Sequence, residues 1–298
     1  MESGESKDPE FSLVGSTANR WELAARLRQL RQQSGLTLEE VALQVHASVS
    51  KISRLENNQR GPQVVDIRNL AALYNLSPIE TGELIDLARP AEGQSPWRRF
   101  DELRGFTRMY IGLESAASTI RTVELSCIQG LFQTPAYARA MLSQPIFSRH
   151  FTEDGINQLV AAKVQRQTRL VKDIPLQIHA ILGEAALFIR VGSNDAMTEQ
   201  VAHLIAIADL PNVQLQILPF VAAGPLYAAS DSFAILGMPH ASVTDIVHIE
   251  GFFGQVLIDR DEEIERYREL FDEVAEKALP NAESMQLLAG AEERWRNA

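Results

Sequence analysis

Residues 35–62 read GLTLEEVALQVHASVSKISRLENNQRGP, and this stretch decides the fold of the N-terminal part of the chain. Thr37 and Glu40 have the spacing of a capping box, which predicts a helix start. Ser48 predicts the start of a second helix, and the Asn-Asn and Gly-Pro pairs beyond it predict its end near Asn57. Two short helices joined by a tight turn are the outline of a helix-turn-helix that binds DNA.

Helical periodicity continues on both sides of this motif. A preceding helix is predicted over about 20–33, and two further helices over about 64–74 and 77–87. Together they predict a five-helix domain over residues 17–90. Residues 1–16 are polar and without periodicity, which predicts a disordered tail. Pro and Gly residues mark a linker over 91–97.

The rest of the chain predicts a different kind of domain over residues 98–280. A long helical stretch is predicted from Trp97 to Val123, and shorter helices near 136–142, 153–172, 194–209 and 261–278. Strand-like segments occur at 176–182, 213–218, 232–236, 244–250 and 255–258. The predicted fold class is therefore α+β overall, with a C-terminal mixed α/β domain whose sheet has about four or five strands. Residues 281–298 are predicted to be a C-terminal helix or tail.

Composition limits the class of protein. The single cysteine, Cys127, excludes an internal disulfide, and the polar, acidic start of the chain does not resemble a secretion signal, so we expect a cytoplasmic protein. No apolar run approaches the ~20 residues that span a bilayer. Residues 17–90 hold nine Lys/Arg and eight Asp/Glu, so the net charge of −11 arises in the rest of the chain. A DNA-binding domain of nearly zero net charge predicts modest nonspecific affinity.

The second helix of the motif has the two faces that a recognition helix needs. Ile52 and Leu55 predict its buried face, and the side chains opposite are small or polar, as entry into the major groove requires. This outward set is Ser50, Lys51, Ser53, Arg54 and Asn57. Arg54 is long enough to reach a guanine edge or a phosphate.

These residues resemble those of the lambda-repressor-like, Cro-type (XRE) regulators over about residues 20–88. The resemblance rests on Gly35-Leu36-Thr37, Glu40-Val41-Ala42, the run from Ser48 to Asn57, and Arg60-Gly61-Pro62. It implies base contacts from Val49, Ser50 and Arg54, and phosphate contacts from Arg31, Thr37, Ser48, Lys51 and Asn57. It also implies a structural role for Glu56. His46 stands where the family most often has Gly, and we expect the turn to tolerate it because His occurs at positive φ.

Three motifs beyond the linker resemble the C-terminal domain of a large actinobacterial family that includes WhiJ-type regulators and is often described as antitoxin-like. They are Tyr110-Ile-Gly-Leu-Glu114, the run from Gln129 to Arg139, and Gly183-Glu184 with the segment that continues to Phe220. The resemblance covers about residues 97–278. It implies a domain that receives a small partner protein or a ligand, and it carries over no catalytic residue.

Polar and aromatic residues gather in two of these motifs. The candidate partner or ligand residues are Tyr110, Glu114, Arg121, Gln133, Tyr137 and Arg139. They would either line a pocket or have a structural role, in which Glu114 or Arg121 pairs with Arg139 and Tyr137 packs between the helices. The six histidines and Cys127 show no metal-binding or catalytic spacing. We therefore expect no enzyme activity, no metal and no cofactor.

These observations favour a sequence-specific transcriptional regulator. It would bind double-stranded DNA at an inverted repeat as a homodimer, because two-fold symmetry repeats the short readout of one helix. The alternative is an antitoxin-like protein that neutralises a small neighbour-encoded partner and regulates its own synthesis through DNA binding. No membrane association is expected in either case.

Overall fold

The computed structural model describes residues 9–58, 61–88, 105–145, 151–224, 231–239, 245–251 and 254–298. Residues 1–8, Arg60 and the predicted linker at 91–97 lie outside this range. The chain divides into two compact units, with residues up to 88 in the first and the described residues from 105 onward in the second. None of the described helices is long and apolar enough to span a membrane.

The first unit is helical, as the periodicity predicts. Its helices are α1 (Pro9–Gln33), α2 (Leu38–Gln44), α3 (Val49–Glu56), α4 (Val64–Leu73) and α5 (Pro78–Ala88). Each helix contributes to one buried apolar cluster, which includes Leu23, Val41, Ile52, Leu70 and Leu84. Helix α1 begins earlier than predicted, so residues 9–16 of the expected tail are helical. Proline is favoured in the first turn of a helix.

Three asparagine and histidine residues end helices of the first unit at positive φ. His46 follows α2 with φ of 53°, Asn58 follows α3 with φ of 52°, and Asn75 follows α4 with φ of 54°. Asn and His are among the few non-glycine residues that adopt this conformation at modest cost. The expectation that the turn tolerates His46 is therefore confirmed.

The second unit is a mixed sheet with helices. Its strands are β1 (Thr119–Glu124), β2 (Gln177–Gly183), β3 (Val213–Leu218), β4 (Phe233–Gly237), β5 (Ile246–Gly251) and β6 (Gly254–Ile258). Its helices are α6 (Gly105–Ala116), α7 (Pro135–Leu142), α8 (Glu153–Gln167), α9 (Ala185–Phe188), α10 (Asn194–Ala208), α11 (Phe220–Ala223), α12 (Asp261–Lys277) and α13 (Asn281–Arg296). The strand order is β3-β2-β1-β4-β5-β6, with β1, β2 and β3 parallel and β4, β5 and β6 added antiparallel. The α+β fold class is confirmed.

Among the described residues the sheet has six strands rather than four or five. The prediction of one long helix from Trp97 to Val123 is wrong at its end. Helix α6 stops at Ala116, and the central strand β1 follows at Thr119. The sequence Thr-Ile-Arg-Thr-Val is rich in β-branched residues, which favour a strand. Its residues pair with two strands from distant parts of the sequence, Thr119 with Gln177 on β2 and with Gly237 on β4.

Helix α12 covers one face of this sheet. Phe271 and Val274 of α12 belong to a buried cluster with Val123 of β1, Ile181 of β2 and Val247 of β5. Helix α6 lies on the opposite face, because the Tyr110 ring stacks on His248 of β5 with centroids 4.0 Å apart. Strand β4 is buried on both faces, which explains why its residues form a continuous apolar run.

Residues 281–296 are a helix that belongs to the fold of the second unit. The Trp295 indole Nε1–H of α13 donates to the Leu187 carbonyl at 2.8 Å. The connection from α12 to α13 also covers the outer edge of β3. The Leu279 N–H donates to the Ile217 carbonyl at 2.8 Å, and the Ile217 N–H donates to Ser284 Oγ at 3.0 Å. The outward backbone groups of Ile217 at this edge of the sheet are thereby satisfied by the chain itself.

Candidate nucleic-acid interface

Side-chain caps fix where the two helices of the motif begin. Thr37 Oγ1 accepts from the Glu40 N–H at 3.2 Å, and the Glu40 carboxylate accepts from the Thr37 N–H at 2.8 Å. The carboxylate also accepts from the Thr37 hydroxyl at 2.9 Å, and these two hydrogen bonds from Thr37 hold the pKa of Glu40 below its usual value. Ser48 Oγ accepts from the Lys51 N–H at 3.2 Å and caps α3. The capping residues predicted from the sequence are confirmed, and they set the angle at which α3 leaves the turn.

Helix α3 presents one polar face outside the core. Ile52, Leu55 and Glu56 are buried, whereas Ser48, Val49, Ser50, Arg54 and Asn57 are exposed and Lys51 and Ser53 are half-buried. Val49 keeps 38% of its surface exposed, so it belongs to the outer face despite its apolar side chain. The exposed side chains near the helix start are short, which allows the backbone to approach the floor of a groove.

Polar side chains on the exposed face of α3 form hydrogen bonds with one another. Arg54 donates from Nε and Nη2 to Ser50 Oγ at 3.0 and 2.6 Å. Asn57 donates from Nδ2 to Ser53 Oγ at 3.3 Å. These contacts hold the guanidinium along the helix, and an exposed serine hydroxyl is a weak partner that a base edge or a phosphate can replace.

Arg31 is placed inside the domain rather than on its outer face. Its Nε and Nη2 donate to the buried carboxylate of Glu56 at 2.9 Å, and its Nη1 donates to the Leu36 carbonyl at 3.1 Å. The hydrogen bond to Glu56 raises the pKa of Arg31. The guanidinium therefore joins α1, the turn before α2, and α3. The implied structural role of Glu56 agrees with this geometry. Three of the five N–H groups of Arg31 already donate within the domain, and its side chain is 17% exposed, so the implied phosphate contact competes with these internal bonds.

Lys51 is also paired within the domain. Its ammonium contacts Asp66 Oδ1 of α4 at 2.5 Å, and Asp66 Oδ2 accepts from the Gln63 N–H at 3.3 Å. One carboxylate thus caps α4 and neutralises the lysine of α3. Of the two cationic residues on α3, Lys51 is paired with Asp66, whereas Arg54 is exposed and has no acidic partner among the described contacts. This pairing explains further why a module of nearly zero net charge would bind nonspecific DNA only modestly.

In the second unit, Tyr110 and Glu114 lie in a buried polar cluster. Glu114 is 1% exposed, and its carboxylate accepts from Arg166 Nε and Nη2 of α8 at 2.7 and 2.6 Å. The Arg166 guanidinium also lies over the Tyr110 ring at 5.7 Å. Arg169 donates to the Glu114 carbonyl at 2.6 Å. Burial raises the pKa of Tyr110 well above its usual value, so the phenol stays protonated.

Gln133 and Tyr137 belong to a buried loop and the start of α7. The Gln133 amide donates to the Ile128 carbonyl at 2.6 Å, and its Oε1 is buried without a hydrogen-bond partner. Gln200 of α10 holds the same loop, because it accepts from the Thr134 N–H and donates to the Phe132 carbonyl, both at 2.7 Å. Burial raises the pKa of Tyr137. These contacts fix the loop against α10.

Arg121 and Arg139 lie apart from this cluster and from each other. Arg121 is on the opposite face of the sheet, 3.6 Å from Asp272 of α12. Arg139 joins α7 to α8 through Glu153 at 3.2 Å and Asn157 at 2.5 Å. The six candidate residues therefore do not line one pocket. The predicted pairing of Glu114 or Arg121 with Arg139 is wrong, because each takes a partner nearer in the fold.

Several polar groups of this cluster were missed by sequence reasoning. Desolvation by burial raises the pKa of Glu124 to about 7, lowers that of Lys163 to about 8, and raises that of Cys127. Glu124 accepts weakly from Thr122 and from the Cys127 thiol. A signal existed for Arg166, which falls seven residues after Leu159 and so on the inward face of a helix. Within the described ranges, no group of three His, Cys, Asp or Glu residues is placed to hold a metal ion.

Comparisons with known proteins agree with both units. A family model described as a domain of unknown function, DUF5753, matches residues 107–290, and a model described as a helix-turn-helix domain matches residues 22–84. The first match covers more than half of the chain, so the chain belongs to the DUF5753 family. Its N-terminal unit is a helix-turn-helix domain, which supports a DNA-binding regulator. No curated protein and no solved structure matches the chain.

Proposed function

We propose that the protein is a sequence-specific DNA-binding transcriptional regulator that places α3 in the major groove of double-stranded DNA. The observation that carries this proposal is the exposed polar face of α3, with short side chains at its start and Arg54 one turn further on. A helix held by its own caps and by the Arg31–Glu56 pair is rigid enough to present that face in one orientation.

The contacts follow from the reach of each side chain. Arg54 releases Ser50 and donates to a guanine edge, and Val49 and Ser50 lie against neighbouring bases. Ser48, Ser53 and Asn57 contact phosphates or the groove walls, and Thr37 lies at the start of α2 beside the backbone of the DNA. Lys51 lies beside a phosphate while Asp66 neutralises its charge. Arg31 acts through Glu56, as a residue that positions α3.

The protein binds an inverted repeat as a homodimer in this proposal. One recognition helix reads only a few base pairs, and a two-fold pair doubles that readout over two half-sites. The second unit supplies the dimer contact and receives a ligand or a small partner protein, as the resemblance to WhiJ-type regulators implies. An antitoxin-like role would instead require a tight complex with a small protein encoded nearby, and co-purification from the native host would reveal it.

Selection of bound duplexes from random DNA tests the reading helix. The full-length protein should enrich an inverted repeat, and Arg54→Ala should weaken binding to that sequence by about 1–3 kcal/mol. Arg20→Ala is the matched control, because it removes an exposed cation of α1 that lies outside α3. Equal losses in both variants would mean that only net charge matters, and no enriched sequence would refute the proposal.

Sedimentation of the full-length protein tests the dimer. A dimer that persists without DNA is expected, together with a single-site operator complex containing two chains. A protein that is monomeric both free and on its selected DNA would refute the dimeric part of the proposal and leave the reading helix untouched.

A further inference from the structure

A groove of about 280 Å³ lies at the amino ends of β1, β2 and β3. This volume is close to the lower limit for ordinary ligand sites and equals the volume of about nine water molecules. Its lining comes entirely from the second unit, including Arg121, Gln177, His179 and Gln214. The parallel strands therefore carry a concave surface at the end opposite to the one where open α/β sheets usually bind ligands.

The floor of the groove is a continuous polar patch on the sheet. Arg121 pairs with His179, and His179 pairs with Gln214, so the three side chains form one row across β1, β2 and β3. Thr119 and Gln177 form the row before it on the same face. The following positions of β1 and β2 on this face, Val123 and Ile181, are apolar and lie under α12, whereas Gln216 follows on β3.

The hydrogen bonds of this patch determine which nitrogen of His179 carries the proton. Gln216 donates its amide N–H to the Leu279 carbonyl at 3.1 Å, which fixes its Oε1 on the other side. That Oε1 lies 2.6 Å from His179 Nε2, so Nε2 is the donor and Nδ1 is left as an acceptor. Burial lowers the pKa of His179, so the ring is neutral near pH 7. The Phe271 ring, 4.9 Å away and edge-on, holds the imidazole in place.

Arg121 supplies a cation beside this acceptor. Its ion pair with Asp272 is long at 3.6 Å, and the two side chains are 48% and 68% exposed. Such a pair is weak, so a second anion competes with Asp272 at little cost. The guanidinium lies 5.8 Å from the Phe271 ring, the same ring that fixes His179. A cation and a neutral acceptor are therefore held side by side.

We infer that this groove binds a small carboxylic acid that also carries a hydrogen-bond donor, such as a hydroxy acid or an amino acid. The carboxylate binds Arg121, whose planar guanidinium suits it, and the hydroxyl or ammonium group donates to His179 Nδ1. Gln177 and Gln214 provide amide groups at the sides of the groove. The inference deepens the proposed function by naming the class of ligand that the second unit receives.

Titration with glycolate tests the site by NMR of the imidazole nitrogens in the full-length protein. The His179 signals should first show the neutral Nε2–H form, and glycolate should then shift the Nδ1 signal in a saturable manner. A His179→Gln variant assigns the signal. Acetate lacks the donor and ethylene glycol lacks the carboxylate, so acetate should bind several-fold more weakly and ethylene glycol should produce no shift.

Arg121→Gln should weaken glycolate binding about 10-fold or more, the loss typical of a charge-assisted hydrogen bond. Arg139→Gln is the matched control, because its side chain is similarly exposed at 43% and also pairs with an exposed acid. No saturable shift at millimolar glycolate, or equal weakening by both variants, would overturn the inference. DNA binding is measured on the same samples, so loss of the proposed function is recognised separately from loss of this site.

Discussion

Replacing Asp66 with asparagine should make the protein less stable and yet bind DNA more tightly. Asp66 contacts the Lys51 ammonium at 2.5 Å, with side-chain exposures of 13% and 29%. A partly exposed pair of this kind stabilises a protein by up to about 1 kcal/mol, so Asp66→Asn should lower the free energy of unfolding by that order. The amide still accepts from the Gln63 N–H, so the start of α4 is retained.

The gain in DNA affinity comes from the freed charge. One additional lysine–phosphate contact steepens the dependence of log K on log salt by about 0.9. When the salt concentration falls from ~1 M to ~0.1 M, the affinity of the variant should therefore rise about eightfold more than that of the unaltered protein. Fluorescence anisotropy over a salt series measures this slope, and urea denaturation measures the stability. The gain should disappear in the Lys51→Gln/Asp66→Asn double variant. An unchanged slope with weaker binding would show that Asp66 only supports the fold.

Three further predictions concern stability. Arg31→Ala should lower the free energy of unfolding in urea by about 3–5 kcal/mol, because it leaves the buried carboxylate of Glu56 unpaired. The control Arg26→Ala removes a more exposed ion pair and should cost less than about 1 kcal/mol. Equal losses would contradict the structural role of the Arg31–Glu56 pair. Trp295→Phe should cost about 1–3 kcal/mol because the Leu187 carbonyl loses its donor, and a melting temperature unchanged from the parent would contradict this. The folded-state pKa of Glu124, about 7, lies above its ordinary value of 4.5, so the folded chain keeps a proton that the unfolded chain has lost. Its contribution to stability should therefore fall as pH rises from about 4.5 to 7, by at most ~1.4 kcal/mol per pH unit, and Glu124→Gln should flatten this window in chemical denaturation.

Local signals explain why the helices of the first unit follow from the sequence. Caps at Thr37 and Ser48 and the residues at positive φ act within a few positions, and periodicity extends over only two or three turns. The exposed face of α3 follows for the same reason. The start of α1 at Pro9 was missed because residues 9–16 lack a clear apolar stripe.

Contacts between distant segments set the limit of sequence reasoning. Strand β1 follows the apolar pattern of α6 after only two residues, and its pairing with β2 and β4 depends on segments far along the chain. The partners of Arg31, Lys51 and Glu114 are likewise set by how helices pack, which periodicity does not reveal. Residue types at these positions indicated polar contacts, but the packing of the helices determined which acid met which base.

The central position of β1 has a consequence for the order in which the chain folds. The first unit is built from contacts between neighbouring helices, which form quickly, whereas β1 completes its pairing only when residues near 237 have been made. Domains generally fold as units from the N-terminus during synthesis. A newly made chain therefore has its helix-turn-helix folded while β1 still lacks its partner strand β4. For that interval, the helix-turn-helix unit exists without a complete second unit.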